Sequence, residues 1–270
     1  MRDARTGQLV DVRKGVGGLL RVCVHTACAE PSARLGNLRA LLTADVLARV
    51  AELDGRQVVY RHAEPCLPER EAKALARAAG MMGIHPAAVP GPDAAHGSAY
   101  GGRTDVHVLA PGGRAPRHEA GLVVEVGPTR TSGALSQEDL TESTADLLPT
   151  RLALLTRPHA APLDLTPDEL ARATRQLTRW RAHVATWATF PSRPMHHETA
   201  RRLRTALHDD LDTPTALEAL RRLEREPGIP DGARFEMFVY ADRVLALELP
   251  REVGAPRHGT AEPSHDAGEE

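Results

Sequence analysis

The sequence predicts an α/β fold, with a parallel β-sheet in the first half of the chain and an α-helical bundle in the second. Two observations carry this. Between residues 19 and 82, apolar runs of strand length alternate with stretches of helical periodicity, the order that a parallel sheet with right-handed crossovers requires. From residue 166 onward those runs stop, and leucine, alanine and tryptophan recur at steps of three and four.

Residues 19–25 (LLRVCVH) read as a buried strand. After the irregular loop TACAEPSARLG, residues 37–53 place Leu38, Leu41, Leu42, Val46, Val50 and Leu53 on one helical face. Asp54-Gly55 breaks the chain, QVVYRH (57–62) reads as a second strand, and a helix follows over about 68–82. This is a βαβ unit, so the first domain reads as Rossmann-like and spans residues 1–135. Its middle is less patterned. Residues 85–100 read as a Pro- and Gly-rich loop, with short strands at 104–109 and 122–126.

Residues 136–165 read as a connecting segment and 166–250 as the bundle. Thr166-Pro167-Asp168-Glu169 supplies a capping threonine, a proline at the first helical position and a glutamate that closes a capping box. Leu170, Ala173, Leu177, Trp180, Val184 and Trp187 then form a buried stripe, so the two tryptophans read as core. A second helix carries Ala200, Leu203 and Leu207, a third starts at Thr213-Pro214, and a fourth covers 235–249. His196-His197 reads as a solvated helix start, because adjacent positions point apart on a helix. Residues 251–270 are polar and turn-rich and read as a disordered tail.

The formal net charge is -2, which gives no general grip on a polyanion. All but two of the 34 basic residues are arginine, a skew that reads as genomic base composition. Cys23, Cys28 and Cys66 have no paired spacing, which points to a reducing compartment. No leader-like or membrane-length apolar stretch is present, so a cytoplasmic location without membrane contact is expected.

Chemistry is sought at the carboxyl end of the first strand, where parallel sheets bind ligands and a helix start favours phosphate. The residues there are Cys23, Thr26, Arg34, Gly36 and Asn37. Gly36 would let a nucleotide approach the backbone, and Arg34 would hold phosphate. On spacing alone, an ordinary strand–helix connection is the better explanation of them.

The same loop resembles the class I aminoacyl-tRNA synthetases, and cysteinyl-tRNA synthetase in particular. That family has Cys-x-x-Thr leaving its first strand, matched by Cys23 and Thr26, and His-Ile-Gly-His or His-Ile-Gly-Asn entering its first helix, matched at Gly36 and Asn37. TADVLARVAELDGRQVVYRHA, GMMGIHPAAVPG, TDVHVLAPGGRAP and HDDLDTPTAL are similar to further family segments, in collinear order from about residue 1 to 249. The resemblance implies a shortened nucleotide-binding domain, ATP as cofactor, and an amino acid as substrate. The family's mobile Lys-Met-Ser-Lys-Ser loop falls near PTRTSG (128–133), which makes Arg130 and Ser132 the implied phosphate contacts.

The departures from the family bear on function. Arg34 replaces the first histidine of the nucleotide motif, and no lysine follows Lys73. Losing such transition-state contacts costs ~3–4 kcal/mol each. The family's substrate zinc uses the strand-end cysteine, a second cysteine, and the ends of His-His-Glu-Asn-Glu. Here RHEAG puts Arg117 and Gly121 at those two ends, and no cysteine lies beyond Cys66. Zinc is therefore expected to be lost, the cysteines being small buried hydrophobes. A site rebuilt from Cys23, Cys28, Cys66 and a histidine is the alternative.

Three readings stay open. The degraded signatures favour a paralogue without tRNA-charging activity that retains affinity for an adenine nucleotide or adenylate. A second reading is a small ATP-dependent ligase that activates an amino acid for an amine or carrier protein; shortened members of the superfamily that join cysteine to a sugar amine are its precedent. The third is an active cysteine–tRNA ligase. Neutral charge and the lack of an anticodon-reading domain argue against tRNA as a partner.

Overall fold

A computed structural model describes residues 1–12, 18–28, 34–63, 67–86, 103–115, 120–136 and 145–255. The expected strands are present: β1 (Leu19–His25), β2 (Gln57–His62), β3 (Val106–Leu109) and β4 (Leu122–Glu125). They form one sheet in the order β2-β1-β3-β4, with every pairing parallel. The arrangement is Rossmann-like, with α1 (Arg34–Leu53) and α2 (Glu69–Met81) as the connecting helices. Leu20, Val22 and Val24 alternate along β1 and join Leu35, Leu38 and Leu41 of α1 in the core.

Two expectations about α1 need correction. It begins at Arg34, not near Asn37, so Arg34 and Gly36 belong to its first turn. It is also buried nearly all round, because the sheet, residues 129–131 and the bundle surround it. Burial on every side forces its polar residues to find partners inside the molecule. Arg39 donates to the carbonyl oxygens of Pro158 (2.8 Å) and Ala161 (2.7 Å) and to Thr129 Oγ1 (3.3 Å). Burial pulls its guanidinium down to about 10.

The stretch read as a connecting segment, 136–165, holds a helix, α3 (Leu148–Leu155), and a strand, β6 (Leu163–Leu165). β6 pairs in parallel with β5 (Thr129–Thr131), at the end of the stretch read as the first domain, to form a second, two-stranded sheet. Arg151 of α3 is fully buried and joins the two halves of the chain. It donates to Asp45 Oδ2 (2.7 Å), Met82 O (3.0 Å) and Leu245 O (2.6 Å). Burial pushes the Asp45 carboxyl up, but Arg151, Arg49 and the His85 backbone N–H outweigh it and hold the group below its ordinary value.

The bundle follows the pattern read from the sequence. It comprises α4 (Pro167–Trp187), α5 (His197–His208), α6 (Thr213–Arg225) and α7 (Asp231–Leu245), closed by a 3-10 turn at Leu249–Glu252. The capping box is formed: Glu169 N donates to Thr166 Oγ1 (3.1 Å), and Thr166 N donates to Glu169 Oε2 (3.1 Å). Trp180 and Trp187 pack edge-on against Phe238, with ring centroids 5.5 and 5.0 Å apart. Leu170 is only partly buried. α6 is capped by Asp212, one residue before Thr213, and α7 ends early because Ala246 adopts a left-handed conformation. No helix among the described residues is long and apolar enough to cross a membrane. The expected loop over 85–100 lies mostly outside the described residues. Of the expected tail over 251–270, only 251–255 are described, and the 3-10 turn runs into it as far as Glu252.

Candidate functional site

The carboxyl ends of β1 and β3 meet the amino end of α1. Ala110 N donates to His25 O (2.9 Å), which draws the loop after β3 over the end of β1. Gly113 permits the closure, because a Cβ there would stand 2.7 Å from His25 O. Gly36 serves the same loop, since a Cβ on it would come within 3.1 Å of Pro111 Cδ. Its absent side chain makes room for protein at this point, a role the nucleotide reading did not include.

Asn37 is buried, and its amide is committed to the loop after β1. Its Oδ1 accepts from Ala27 N (2.9 Å), and its Nδ2 donates to Ala27 O (3.2 Å). Such a two-sided clamp fixes the loop that carries Thr26, so Asn37 positions the mouth of the sheet. Arg34 and Thr26 are half-buried at that mouth, and no acidic residue occupies the first turn of α1. A helix start favours an anion.

Arg130 lies on the second sheet and Ser132 immediately after its strand β5. PTRTSG, matched to a mobile loop, contains strand β5, with exposed Arg130 in register with Asp164. Ser132 N continues the pairing to Leu165 O (3.2 Å). β5 is tied to α1 through Arg39 and Thr129 Oγ1 (3.3 Å), which brings the segment beside the helix but not into a loop. Arg117 lies outside the described residues, as does Cys66. Gly121 has no side chain to offer a metal, and a Cβ there would meet Thr104 O at 2.7 Å.

Cys28 is disulfide-bonded, which removes the basis for reading all three cysteines as reduced thiols. Cys23 is a buried thiol on β1, and residues two apart on a strand share a face, so His25 stands beside it. The parallel register pairs Cys23 with His107 of β3. His25 Nε2 lies 2.9 Å from His107 Nδ1, and the donor atoms of all three residues fall within 4.8 Å of one another. Sequence reasoning named Cys23 but missed the two histidines. The Cys-x-His alternation on a strand was readable; the pairing with a residue 82 positions away was not.

At the end of β2, the Tyr60 hydroxyl lies 3.2 Å from His62 Nε2. Burial, then the charges of Asp45 and Cys23, push the Tyr60 phenol up, and burial alone pulls His62 down. A cleft of about 240 Å³, lined by Met1, Val10, Val50, Asp54, Arg56 and His208, lies at the far end of α1 from Arg34. It is remote from the residues above.

No family model matches the chain. Curated relatives do, and the matches carry the name L-cysteine:1D-myo-inositol 2-amino-2-deoxy-alpha-D-glucopyranoside ligase. The protein from Streptomyces griseus is 36% identical over 103 residues, covering 37% of this chain and 24% of the relative. That from Streptosporangium roseum is 34% identical over 140 residues, covering 48% of this chain and 32% of the relative. That from Gordonia bronchialis is 46% identical over 70 residues, covering 26% of this chain and 16% of the relative. The matched stretches thus span no more than about a third of the relatives' length. The similarity to these relatives is a similarity to cysteine ligases whose named acceptor is an amino sugar. It favours the second of the three readings over the first.

Proposed function

We propose that the chain is an ATP-dependent ligase that activates cysteine and passes it to an amine other than tRNA. The observation that carries this reading is the similarity to amino-sugar cysteine ligases, which extends over as much as 48% of the chain. The α/β half has the form such chemistry needs, with a parallel sheet whose carboxyl ends face a helix start.

In this reading the substrate carboxylate attacks the α-phosphorus of ATP and pyrophosphate leaves. The acceptor amine then attacks the acyl carbon and AMP leaves, giving an amide. Arg34 and the N–H groups of the first turn of α1 would hold phosphate oxygens, with Gly36 keeping that turn close to the β3 loop. Asn37 would act through Ala27 by fixing the loop. Arg130 would supply charge in place of the absent lysines, as a rigid fork in place of a mobile point charge. Slow activation is the expected consequence.

A second reading rests on a specific observation: the 128–133 stretch holds no lysine and is paired as a strand. It describes a protein that binds an adenylate without fast chemistry. Cysteine-dependent exchange of label between pyrophosphate and ATP decides between them. Exchange, followed by transfer of labelled cysteine to an amino-sugar acceptor and not to tRNA, is the expected result. Nucleotide binding without exchange would establish the second reading instead.

A further inference from the structure

We propose that Cys23, His25 and His107 form a three-donor site for a zinc-type divalent cation, built on the central strands of the sheet. The zinc that the family carries lacks one of its donors in this chain, because Gly121 offers no ligand atom. The sheet supplies a different set. One thiol and two imidazoles suit zinc, and three protein donors leave a fourth position open, as in catalytic sites.

The geometry is close to what such an ion needs. Two nitrogens bound tetrahedrally at ~2.0–2.1 Å from zinc lie roughly 3.4 Å apart, and a sulfur at ~2.3 Å lies about 3.6 Å from each. His25 Nε2 and His107 Nδ1 are 2.9 Å apart, so the rings need open by only about half an ångström to admit the ion. Cys23 Sγ lies within 4.8 Å of both histidine donors. The backbone under the three residues need not move, because hydrogen-bonded strands fix Cys23 opposite His107. Sites carried on strands hold their geometry better than sites on loops.

The burial pattern points the same way. Cys23 is 2% exposed, His25 5% and His107 0%. The opposite face of the same strands is filled by Leu20, Val22, Val24, Val106 and Val108, which belong to the apolar core. A dry site of this kind strengthens the hold of a thiolate and two imidazoles on a shared cation. The competing arrangement is a histidine–histidine hydrogen bond next to an inert thiol. Both use the same atoms, so a metal titration separates them. The inference does not depend on ATP chemistry.

The test is cobalt(II) titration of the whole purified chain after chelation and dialysis, read by absorption spectroscopy, with zinc then displacing the cobalt. The expected result is about one equivalent of cobalt with visible tetrahedral bands and a thiolate charge-transfer band. Cys23→Ser should abolish the charge-transfer band. His107→Gln should weaken binding by at least roughly tenfold, the scale reached even when an outer partner of a ligand is lost. His197→Gln, at the exposed start of α5, should change nothing. Circular dichroism checks each fold, and if Cys23→Ser does not fold, the wild-type spectrum and His107→Gln decide. No retained cobalt, an octahedral spectrum without charge transfer, or bands that survive Cys23→Ser would each overturn the proposal.

Discussion

The start of α4 is held by Thr166 and Glu169, three positions apart, whereas the seam between sheet and bundle is held by Arg151 and Asp45, 106 positions apart. The first contact follows a local rule that any reader of the sequence can apply. The second exists only once the chain has folded, and its two charges must meet inside a dry interior. Both are polar contacts at helices, yet they differ in what failure costs. A lost cap exposes backbone groups that water can still reach. A lost partner at the seam strands a buried charge.

That contrast sets the largest expected effect. Asp45→Asn leaves the Arg151 guanidinium without its anion and should destabilise the fold by ~3–5 kcal/mol in a denaturant melt. The pH dependence of the wild type should agree in sign. Asp45 titrates below its ordinary value of 3.8, so its contribution is whole above that value and falls away as pH drops through the folded pKa. Acid denaturation curves of wild type and Asp45→Asn should therefore converge at low pH. Curves that stay parallel down to the acid limit would mean that the seam is held by packing alone.

The contrast also explains what could be read from the sequence. The bundle was legible because Ala173, Leu177, Trp180, Val184 and Trp187 repeat at helical spacing and because Thr166 and Glu169 mark a helix start. β1 to β4 were legible as apolar runs. β5 and β6 were not, since Thr129–Thr131 and Leu163–Leu165 are three residues each and pair only through their parallel register. The all-round burial of α1 escaped because Arg39 and Asp45 look solvent-facing until Pro158, Ala161 and Arg151 are brought to them. At the site, Cys23, Thr26, Arg34, Gly36 and Asn37 were found from one loop. His25 and His107 were missed because a cluster across two strands carries no linear spacing.

Leu177→Ala probes the bundle on its own terms. The side chain is 1% exposed, so its truncation should cost ~2–5 kcal/mol, depending on how far the core collapses. A loss below about 0.5 kcal/mol would show that the α4 stripe is not the core of the bundle. Combined with Asp45→Asn, the two losses should add, because Leu177 takes no part in the hydrogen bonds that hold Asp45. A large departure from additivity would join the two regions that the comparison separates.

At the mouth of the sheet the expected effect is smaller and is read by calorimetry. Arg34 stands in the first turn of α1, where the helix start and a guanidinium act together on an anion. Arg34→Ala should weaken adenine-nucleotide binding by ~1–3 kcal/mol with the melt nearly unchanged. Equal binding by both proteins would leave the pocket intact and move the phosphates elsewhere. Absence of binding by wild type at millimolar nucleotide would remove the nucleotide from the site altogether.

The smallest effect tests the local rule itself. Thr166→Ala removes the hydroxyl that accepts from Glu169 N, while Glu169 Oε2 can still accept from residue 166 N. Half of the capping box survives, and Pro167 still presets the first turn. The loss should therefore sit near ~1 kcal/mol, within the range for threonine caps replaced by alanine. Thr166→Ser keeps the acceptor and should recover most of it. The alternative is that Leu165, which is 1% exposed at the end of β6, anchors the entry to α4 by packing. In that case Thr166→Ala would cost almost nothing and Leu165→Ala several times more. The bundle would then be held by the same kind of distant contact as the seam, and the difference between the two regions would be one of degree.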